Sequence, residues 1–591
     1  VRRLLVVLLT GGLLASVVTA AHASPAAPTA PGSVSATVAA QTVNVTWTPP
    51  AVAPRDTRGS AIAVSRDGAL VASLPLSATR YTDAAVRPGS RHTYVVDTVT
   101  PHDGTAAAAP VSVTLPAYLV GAAWRDITPT GVVNLGGYGL GDGSVLPQVV
   151  VGRGGRAGPQ GEHIGARAIV FDDGTHAVAI ANIETQGMFA AYEDGAYGLV
   201  DMAKAVAKDI PGLPANHIVI AADHTHSGPD TIGAWGGVSP AYLTSIKDQT
   251  VAAIEAAYQA RQFADVKAGH SDASDLIYNQ ACSEALNQSP TPSYTGPDVC
   301  PVPGKDGMVR VVQATAPSGA VVATLMAFAA HATAGGGNGV NGDWPQFVSE
   351  AMAATYGGNG IAMEGAVGGT QPCRPQCSFT KPGNPGNHIS DRKTAIVANY
   401  MAHVADALRT AAPVRGPVAA ADSSLREPIT GPTVLGLFTA GQHIGARLLR
   451  SHENPWVVGT TIDTIASVVR VGDVLFADTP GEGFPAIGAG VRDAVRGPRE
   501  VVQLGLAYDQ TGYLISPARY VPVIAAEVPV NDNIIFNVSP TIGDHVMCAD
   551  IALSAKVGFA ASPPPTCAPF SALDGAGDPL AKVPVGGVSL P

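Results

Sequence analysis

From about residue 118 onward, short and wholly apolar runs alternate with segments of helical periodicity, and this alternation limits the fold more than any other feature. Residues 178–183 and 218–222 have the length and apolar character of buried strands. Residues 198–208 and 243–261 have the spacing of apolar residues that is typical of helices. The alternation predicts an α/β (α+β) domain built on a mixed sheet, and we place this domain at residues 118–555.

The preceding segment, residues 24–117, has a different pattern. Polar and apolar residues alternate over short stretches such as 33–38 and 42–47, with turn signals between them, which predicts an all-β sandwich. Trp47 and the late strand around Tyr94 resemble those of a fibronectin type III module. The resemblance implies a spacer or a binding module, for which an extracellular matrix or polysaccharide contact is the expected partner.

The first 23 residues have the form of a secretory signal peptide. A basic start is followed by the apolar residues 4–20 and by an Ala-x-Ala cleavage site at Ala21–Ala23. A retained membrane anchor is the alternative, although Thr10, Gly11 and Gly12 interrupt the apolar run. Since no later segment has about 18 uninterrupted apolar residues, we predict a secreted chain without a transmembrane segment.

Composition and cysteine content narrow the class of protein further. A hydrophobic content of 46% and a charged content of 14% exclude a disordered chain or a coiled coil. The net charge is −11 and the basic residues are scattered, so nothing indicates nucleic-acid binding. The Pro- and Ala-rich tail, residues 556–591, is predicted to wrap around the domain in an extended form or to be partly disordered.

Six cysteines in a secreted protein predict three disulfides. Pairing between neighbours along the chain is the simplest hypothesis, which gives Cys282–Cys300, Cys373–Cys377 and Cys548–Cys567. Half of a zinc site is the alternative for Cys373 and Cys377, but no second thiol pair lies near them.

The stretch Asp223–Pro229 reads Asp-His-Thr-His-Ser-Gly-Pro and follows the apolar run 218–222 directly. If the strand continues, His224 and His226 point to opposite faces, so that one ligates a metal while the other faces a substrate. If the chain has already turned into a loop, both can face the same site. Two ordinary histidines in a polar loop are the third possibility.

A series of motifs resembles the neutral ceramidase (neutral/alkaline non-lysosomal ceramidase) family when taken in order over about 400 residues. Each motif is weak alone, and the set is specific. Its members are 124–129 with Gly136–Gly139, 161–168, 223–229, 328–333 with 342–345, 472–482, and 505–507 with Tyr513.

The resemblance implies a zinc site formed by His224, His331, Glu482 and Tyr513. Two imidazoles and a carboxylate are suitable zinc ligands that leave room for water or a carbonyl oxygen. The implied function is a zinc-dependent amidohydrolase that cleaves an N-acyl linkage in a lipid-like substrate by zinc-activated water. Taken singly, the three later residues could instead be a core histidine, a solvated carboxylate and a packed ring.

Three residues are candidates for the chemistry beside the metal. The resemblance places His226 near the scissile amide, where it could shuttle a proton or donate to an oxyanion, or else orient a ligand. Asp343 could support a ligand, hydrogen-bond the substrate or cap a helix. Thr370 carries a hydroxyl next to the position of the family's proposed nucleophilic serine.

Two departures from the family pattern concern the substrate side. Gln371 stands where the family's serine is expected, and the arginine expected within residues 272–279 is missing. The sequence therefore predicts a divergent zinc hydrolase whose substrate differs at its polar end. A binding protein that has lost catalysis and a zinc lipase or esterase are the alternatives.

Overall fold

The computed structural model describes a defined part of the chain, which consists of residues 27–54, 57–137, 156–159, 161–233, 235, 237–279, 305–335, 339–372, 389–431, 457–458, 461–515 and 536–570. The predicted signal peptide and the predicted pairs Cys282–Cys300 and Cys373–Cys377 lie outside these residues.

The chain forms two compact units. The first comprises Val1–Thr37, Val43–Asp83 and Arg91–Val113, and the second comprises Val38–Thr42, Ala84–Ser90 and Thr114–Pro591.

The strands of the N-terminal part are all short and mostly alternate between buried and exposed residues. They are β1 (Gly32–Ala39), β2 (Thr42–Thr48), β3 (Ala61–Arg66), β4 (Ala69–Pro75), β5 (Arg80–Asp83), β6 (Arg91–Thr100), β7 (Gly104–Ala107) and β8 (Val111–Thr114). One sheet has the order β1-β2-β5, and the other has the order β4-β3-β6-β7 with β8 beside β6. Alternate residues such as Val43, Val45 and Trp47 are buried, because successive side chains of a strand point to opposite faces.

The second unit contains the remaining strands and all of the α-helices that the structure describes. Its strands are β9 (Tyr118–Asp126), β10 (Val133–Asn134), β11 (Arg156–Ala157), β12 (Gly165–Asp172), β13 (Ala177–Ile183), β14 (Ile218–Ala222), β15 (Gln262–Asp272), β16 (Ile277–Asn279), β17 (Met308–Thr315), β18 (Val321–Phe328), β19 (Asn359–Glu364), β20 (Thr370–Pro372), β21 (Ala412–Pro413), β22 (Val418–Pro428), β23 (Val457–Val458), β24 (Thr461–Val471), β25 (Val474–Asp478), β26 (Glu482–Gly483), β27 (Val495–Arg496), β28 (Glu500–Leu504), β29 (Tyr513–Leu514) and β30 (Ala560–Ala561). Its helices are α1 (Leu199–Asp209), α2 (Pro240–Gln259), α3 (Asp343–Tyr356), α4 (Ile389–Thr410), α5 (Pro485–Ala494) and α6 (Ile542–Lys556).

Two mixed sheets form the framework of this unit. The larger has the order β14-β13-β12-β9-β15-β17-β18-β19 with β21 beside β15, and the smaller has the order β22-β24-β25-β28 with β23 beside β24. Parallel pairs occur between β13 and β14, between β18 and β19 and between β25 and β28, while the other pairs are antiparallel. The predicted combination of helices with a mixed sheet is therefore confirmed.

The two sheets pack against each other through one hydrophobic cluster. This cluster joins Phe171 and Ile361 of the larger sheet to Val469 and Phe476 of the smaller sheet. On its other face, the larger sheet is covered by α1 and α2, which contribute a second cluster. Because β12, β13 and β14 are covered on both faces, they are almost wholly apolar rather than alternating.

Local signals fix where helices begin. Helix α2 starts with Pro240, and the Ser239 side chain accepts a hydrogen bond from the backbone N–H of Tyr242 at 3.2 Å. At α1, the Asp201 carboxylate accepts a hydrogen bond from the Gly198 N–H at 3.0 Å. These side chains satisfy backbone donors that have no partner within the first turn of a helix.

The C-terminal helix is linked to the segment that follows it. The predicted disulfide Cys548–Cys567 is present, and β30 pairs with β27. These two contacts hold residues 556–570, the described part of the predicted tail, to α6 and to β27. Among the described helices, none combines the length and the apolar character that a membrane span requires.

Candidate metal centre

The chain leaves the sheet immediately after β14, and this turn decides where the two histidines of the Asp223–Pro229 stretch point. His224 has a left-handed backbone conformation with φ of 53°. Its ring centroid lies 4.8 Å from that of His226. Of the possibilities that the sequence leaves open, the loop geometry is therefore the one observed, and both histidines face the same site.

A third imidazole completes a compact triangle of rings. His331 lies three residues after the end of β18, and its ring centroid is 5.1 Å from that of His224 and 5.7 Å from that of His226. One ring nitrogen from each of the three histidines lies within 4.8 Å of the others. His224 and His331 are buried, whereas His226 is partly exposed.

Glu482 and Tyr513 lie in the short parallel pair β26–β29, and their side chains approach the histidines from there. The Glu482 carboxylate spans the two buried rings, with Oε1 3.4 Å from His224 Nε2 and Oε2 3.0 Å from His331 Nε2. The Tyr513 ring stacks beside His331, with the centroids 6.4 Å apart and the planes inclined by 30°. The structure thus brings all four predicted metal ligands to one place.

Backbone carbonyls fix the tautomer of both buried histidines. His224 Nδ1 lies 2.7 Å from the Gln186 carbonyl oxygen, and His331 Nδ1 lies 2.9 Å from the Thr370 carbonyl oxygen. Because a carbonyl only accepts, each Nδ1 carries a proton and donates it. Each Nε2 faces Glu482 and donates to its carboxylate when the ring is charged, and loss of that proton leaves on Nε2 the lone pair that a metal binds. A metal-binding histidine usually has this arrangement.

The electrostatics of the site keep Glu482 ionised. Burial disfavours its charge, but the charges and hydrogen bonds of His224 and His331 outweigh burial and hold the pKa of Glu482 well below its usual value. Burial likewise disfavours charge on His224, and the Glu482 carboxylate reverses this and raises the pKa of His224. Glu482, which a metal would bind as a carboxylate, is therefore ionised in the folded protein.

Further carboxyl groups surround the site. Burial and neighbouring acidic groups raise the pKa values of Asp223 and Glu364 well above the usual range. Glu184 is also buried, and its Oε1 is 2.7 Å from the Arg167 Nε. Within the described residues, Oδ2 of Asp223 and Oε2 of Glu364 have no hydrogen-bond partner. Burial therefore favours the uncharged form of these two carboxyl groups.

The chemistry of the donor set fits zinc. The Glu482 oxygens lie 3.4 Å from His224 Nε2 and 3.0 Å from His331 Nε2, so the donor atoms of the three side chains lie next to one another. Two neutral imidazoles and a carboxylate also have the chemistry that zinc prefers.

The remaining predicted residues have different surroundings. Thr370 holds His331 through its carbonyl oxygen, while its hydroxyl is buried and has no hydrogen-bond partner among the described residues. Asp343 is the first residue of α3, and its carboxylate accepts hydrogen bonds from the backbone N–H groups of Ala334, Gly335 and Trp344. These contacts hold the loop at Ala334 and Gly335 to the start of α3, and the three predicted roles of Asp343 stay predictions.

Sequence reasoning did not single out Gln186 and Gln510, and it placed Gly137 in a motif without giving it a role. Gln186 contacts His224 through its carbonyl oxygen, and Gln510 Nε2 lies 3.4 Å from Glu482 Oε1. Gly137 lies against His226 so closely that an added Cβ would be 2.4 Å from the His226 Cγ, and its φ is 94°. The paired glycines at 136 and 137 were a usable signal, whereas nothing in the sequence distinguishes Gln186 or Gln510 from other glutamines.

Comparison with known proteins gives a result at the level of the fold. No protein-family model matches the chain, and no curated protein matches it. The structure is similar to the neutral ceramidase from Pseudomonas aeruginosa, with a TM-score of 0.57 and 16% sequence identity, over 76% of this chain and 77% of that chain.

A ceramidase solved in complex with C2 is similar to the same extent. The TM-score is 0.56 and the identity is 18%, over 76% of this chain and 78% of that chain. The likeness extends over about three quarters of both proteins. The chain therefore has the fold of the neutral ceramidases.

Proposed function

We propose that this protein is a secreted, zinc-dependent hydrolase that cleaves an N-acyl amide bond in a lipid-like substrate. The observation that carries the proposal is the convergence of His224 Nε2 and His331 Nε2 on the two oxygens of Glu482. The ceramidase fold supports an amide as the scissile bond. An ester is the second candidate, because the same set of groups would suit the more reactive carbonyl.

His224, His331 and Glu482 would hold the zinc ion, and Tyr513 would be the fourth ligand. A bound zinc ion would supply Lewis acidity, which polarises a carbonyl group and makes water more acidic. The protein's part is to hold the ligands in place before metal arrives. The Nδ1–H groups of the two histidines, bound to the carbonyl oxygens of Gln186 and Thr370, do this.

His226 would act as the general acid and base. Its ring lies beside both buried imidazoles, and although the residue is partly exposed, both ring nitrogens are shielded from bulk water. A neutral imidazole could take a proton from the attacking water at one nitrogen and deliver it to the leaving amine. Gly137 packs on the ring and keeps it in this orientation.

Water is the proposed nucleophile, and no acyl-enzyme is formed. Gln371 has no hydroxyl, and the Thr370 hydroxyl is enclosed on the side of its strand opposite to Gln371. The carbonyl oxygen of Thr370 instead positions His331.

The N-terminal sheets are assigned the role of an accessory module of fibronectin type III type. Their strand order and alternating burial support this assignment. Binding to polysaccharide or to other extracellular material is the proposed function of the module, in line with the proposed signal peptide.

Metal analysis and hydrolysis assays on the purified chain test the function. We expect about one equivalent of zinc and release of fatty acid from short-chain N-acyl substrates, with loss of turnover on chelation and recovery on zinc addition. An ester series run in parallel distinguishes amidase from esterase. Stoichiometric zinc without chelator-sensitive turnover on either series would contradict the proposal.

A further inference from the structure

The candidate metal centre combines buried ligands with partly exposed neighbours. His224, His331, Glu482 and Tyr513 are all buried, with at most 7% of their surface exposed. His226 and Gln371 are only partly buried. Of these two residues, Gln371 has been given no role, and it follows Thr370, whose carbonyl oxygen accepts from His331 Nδ1.

Strand geometry directs the Gln371 side chain away from Thr370. Gln371 is the middle residue of β20, which pairs with β16 so that Gln371 is opposite Tyr278 and Thr370 is opposite Asn279. Since successive side chains of a strand alternate, the fully buried Thr370 and the partly exposed Gln371 point to opposite faces. Gln371 thus presents an amide to the accessible face of this strand.

A hydrogen bond from Thr333 fixes the orientation of that amide. The Thr333 hydroxyl lies 3.0 Å from Gln371 Oε1 and donates to it. Thr333 belongs to the segment that carries the metal centre, because its N–H donates to the His331 carbonyl oxygen at 2.8 Å. The adjacent Ala332 carbonyl oxygen accepts from the His226 N–H at 3.1 Å. These backbone hydrogen bonds connect the segment that holds the Gln371 amide to both histidines.

The chemistry of the remaining amide group follows from this contact. An amide offers one oxygen acceptor and one NH₂ donor. Thr333 occupies the oxygen, and among the described residues Nε2 has no hydrogen-bond partner. The group available at the accessible side is therefore a neutral donor, which suits a carbonyl, hydroxyl or carboxylate oxygen.

We propose that Gln371 Nε2 donates a hydrogen bond to an oxygen of the acyl substrate and so selects substrates that carry an acceptor at this position. Thr333 acts through Gln371 as a positioning residue, because its hydroxyl keeps the amide nitrogen turned toward the substrate. This inference rests on the proposed hydrolase function, which supplies the acyl substrate.

Binding of a non-hydrolysable acyl ligand tests the inference separately from turnover. The probe is octanohydroxamate, which offers acyl oxygens to zinc and to nearby donors, measured by calorimetry on the zinc-loaded full chain. Removing one neutral hydrogen bond in Q371A should weaken binding about 3- to 10-fold. Q371E replaces the donor with an acceptor of similar shape and should weaken binding about 10-fold or more.

The threonine variants separate a positioning role from a merely structural one. T333S keeps the hydroxyl and should bind the probe like the wild type. T333V removes it and should weaken binding by less than Q371A does, because the amide is still present but can rotate. Zinc affinity, measured by chelator competition, should stay unchanged in all four variants.

Each outcome bears on one of the two proposals. Wild-type protein that binds the hydroxamate but hydrolyses nothing contradicts the hydrolase, while Gln371 is still judged by the binding series. Equal binding by Q371A, Q371E and the wild type overturns the role of Gln371, even if hydrolysis is observed. Failure of the zinc-loaded wild type to bind the probe also overturns it, since no acyl oxygen would then be held at the site.

Discussion

The two sides of the candidate metal centre are built differently. The inner side, formed by His224, His331 and Glu482, is buried, and each of its imidazoles is held by a backbone carbonyl. The open side, formed by His226 and Gln371, is partly exposed, and its contacts are with Gly137 and Thr333. The inner side can keep a metal with few tolerated changes, while the open side can change and so alter the substrate.

The strongest test of this division is to remove an inner ligand. His331→Ala should weaken zinc binding by more than about 100-fold, since loss of even an indirect support for a zinc ligand costs about 10- to 100-fold. Zinc affinity is measured by competition with a chromogenic chelator. His176→Ala, at an exposed histidine outside the site, is the matched control and should keep the wild-type affinity.

Removing the open-side histidine should separate chemistry from metal binding. His226→Ala should lower kcat by about 100- to 10,000-fold, which is the usual contribution of a general acid–base. Zinc stoichiometry and affinity should be preserved. If the variant instead loses its zinc, His226 belongs to the inner side and the division is wrong.

A smaller disturbance of the open side is predicted for Gly137→Ala. The added Cβ would lie 2.4 Å from the His226 Cγ, and the backbone φ of 94° is unfavourable for alanine. We expect kcat to fall about 10-fold as the His226 ring is displaced from its proton-transfer position, with zinc retained. Gly131→Ala is the control, because an added Cβ there meets nothing within 4 Å. Equal kcat values for the two variants would contradict the proposed support of His226.

The smallest expected effect is a pH-dependent change in stability that comes from a buried carboxyl group near the inner side. Asp478 ends β25, four residues before Glu482, and burial raises its pKa to about 7. In the unfolded chain the value is about 3.9, so the folded protein binds the proton more tightly, and this contribution to stability is lost as the pH rises from about 4 to 7. Asp478→Asn stays neutral and can still accept from Ser467.

The measurement is the difference in Tm between this variant and the wild type at pH 5 and at pH 8. The difference should shift in favour of Asp478→Asn at the higher pH, with little change in zinc affinity. A constant difference would mean that Asp478 does not titrate in this range.

The sequence predicted the fold and the meeting of distant residues better than it predicted contacts within the site. Apolar runs without alternation were sufficient to predict the buried strands, because strands of a sheet that is covered on both faces are apolar on both sides. The ordered motifs were sufficient to place Glu482 beside His224. By contrast, the direction of His226 depends on the φ of one residue, His224, and the support from Gln186 comes from a carbonyl oxygen. Neither property is a feature of residue type, so no pattern could have predicted it.

The parallel pair β26–β29 has a consequence for how the protein matures. Glu482 contacts His331, which lies 151 residues earlier in the chain, and Glu482 itself belongs to the β26–β29 pair. Such long-range contacts form late, because closing a long loop costs entropy before any contact repays it. The complete set of ligands therefore exists only after the sheets have docked. Zinc uptake should then report the end of folding rather than guide its early steps.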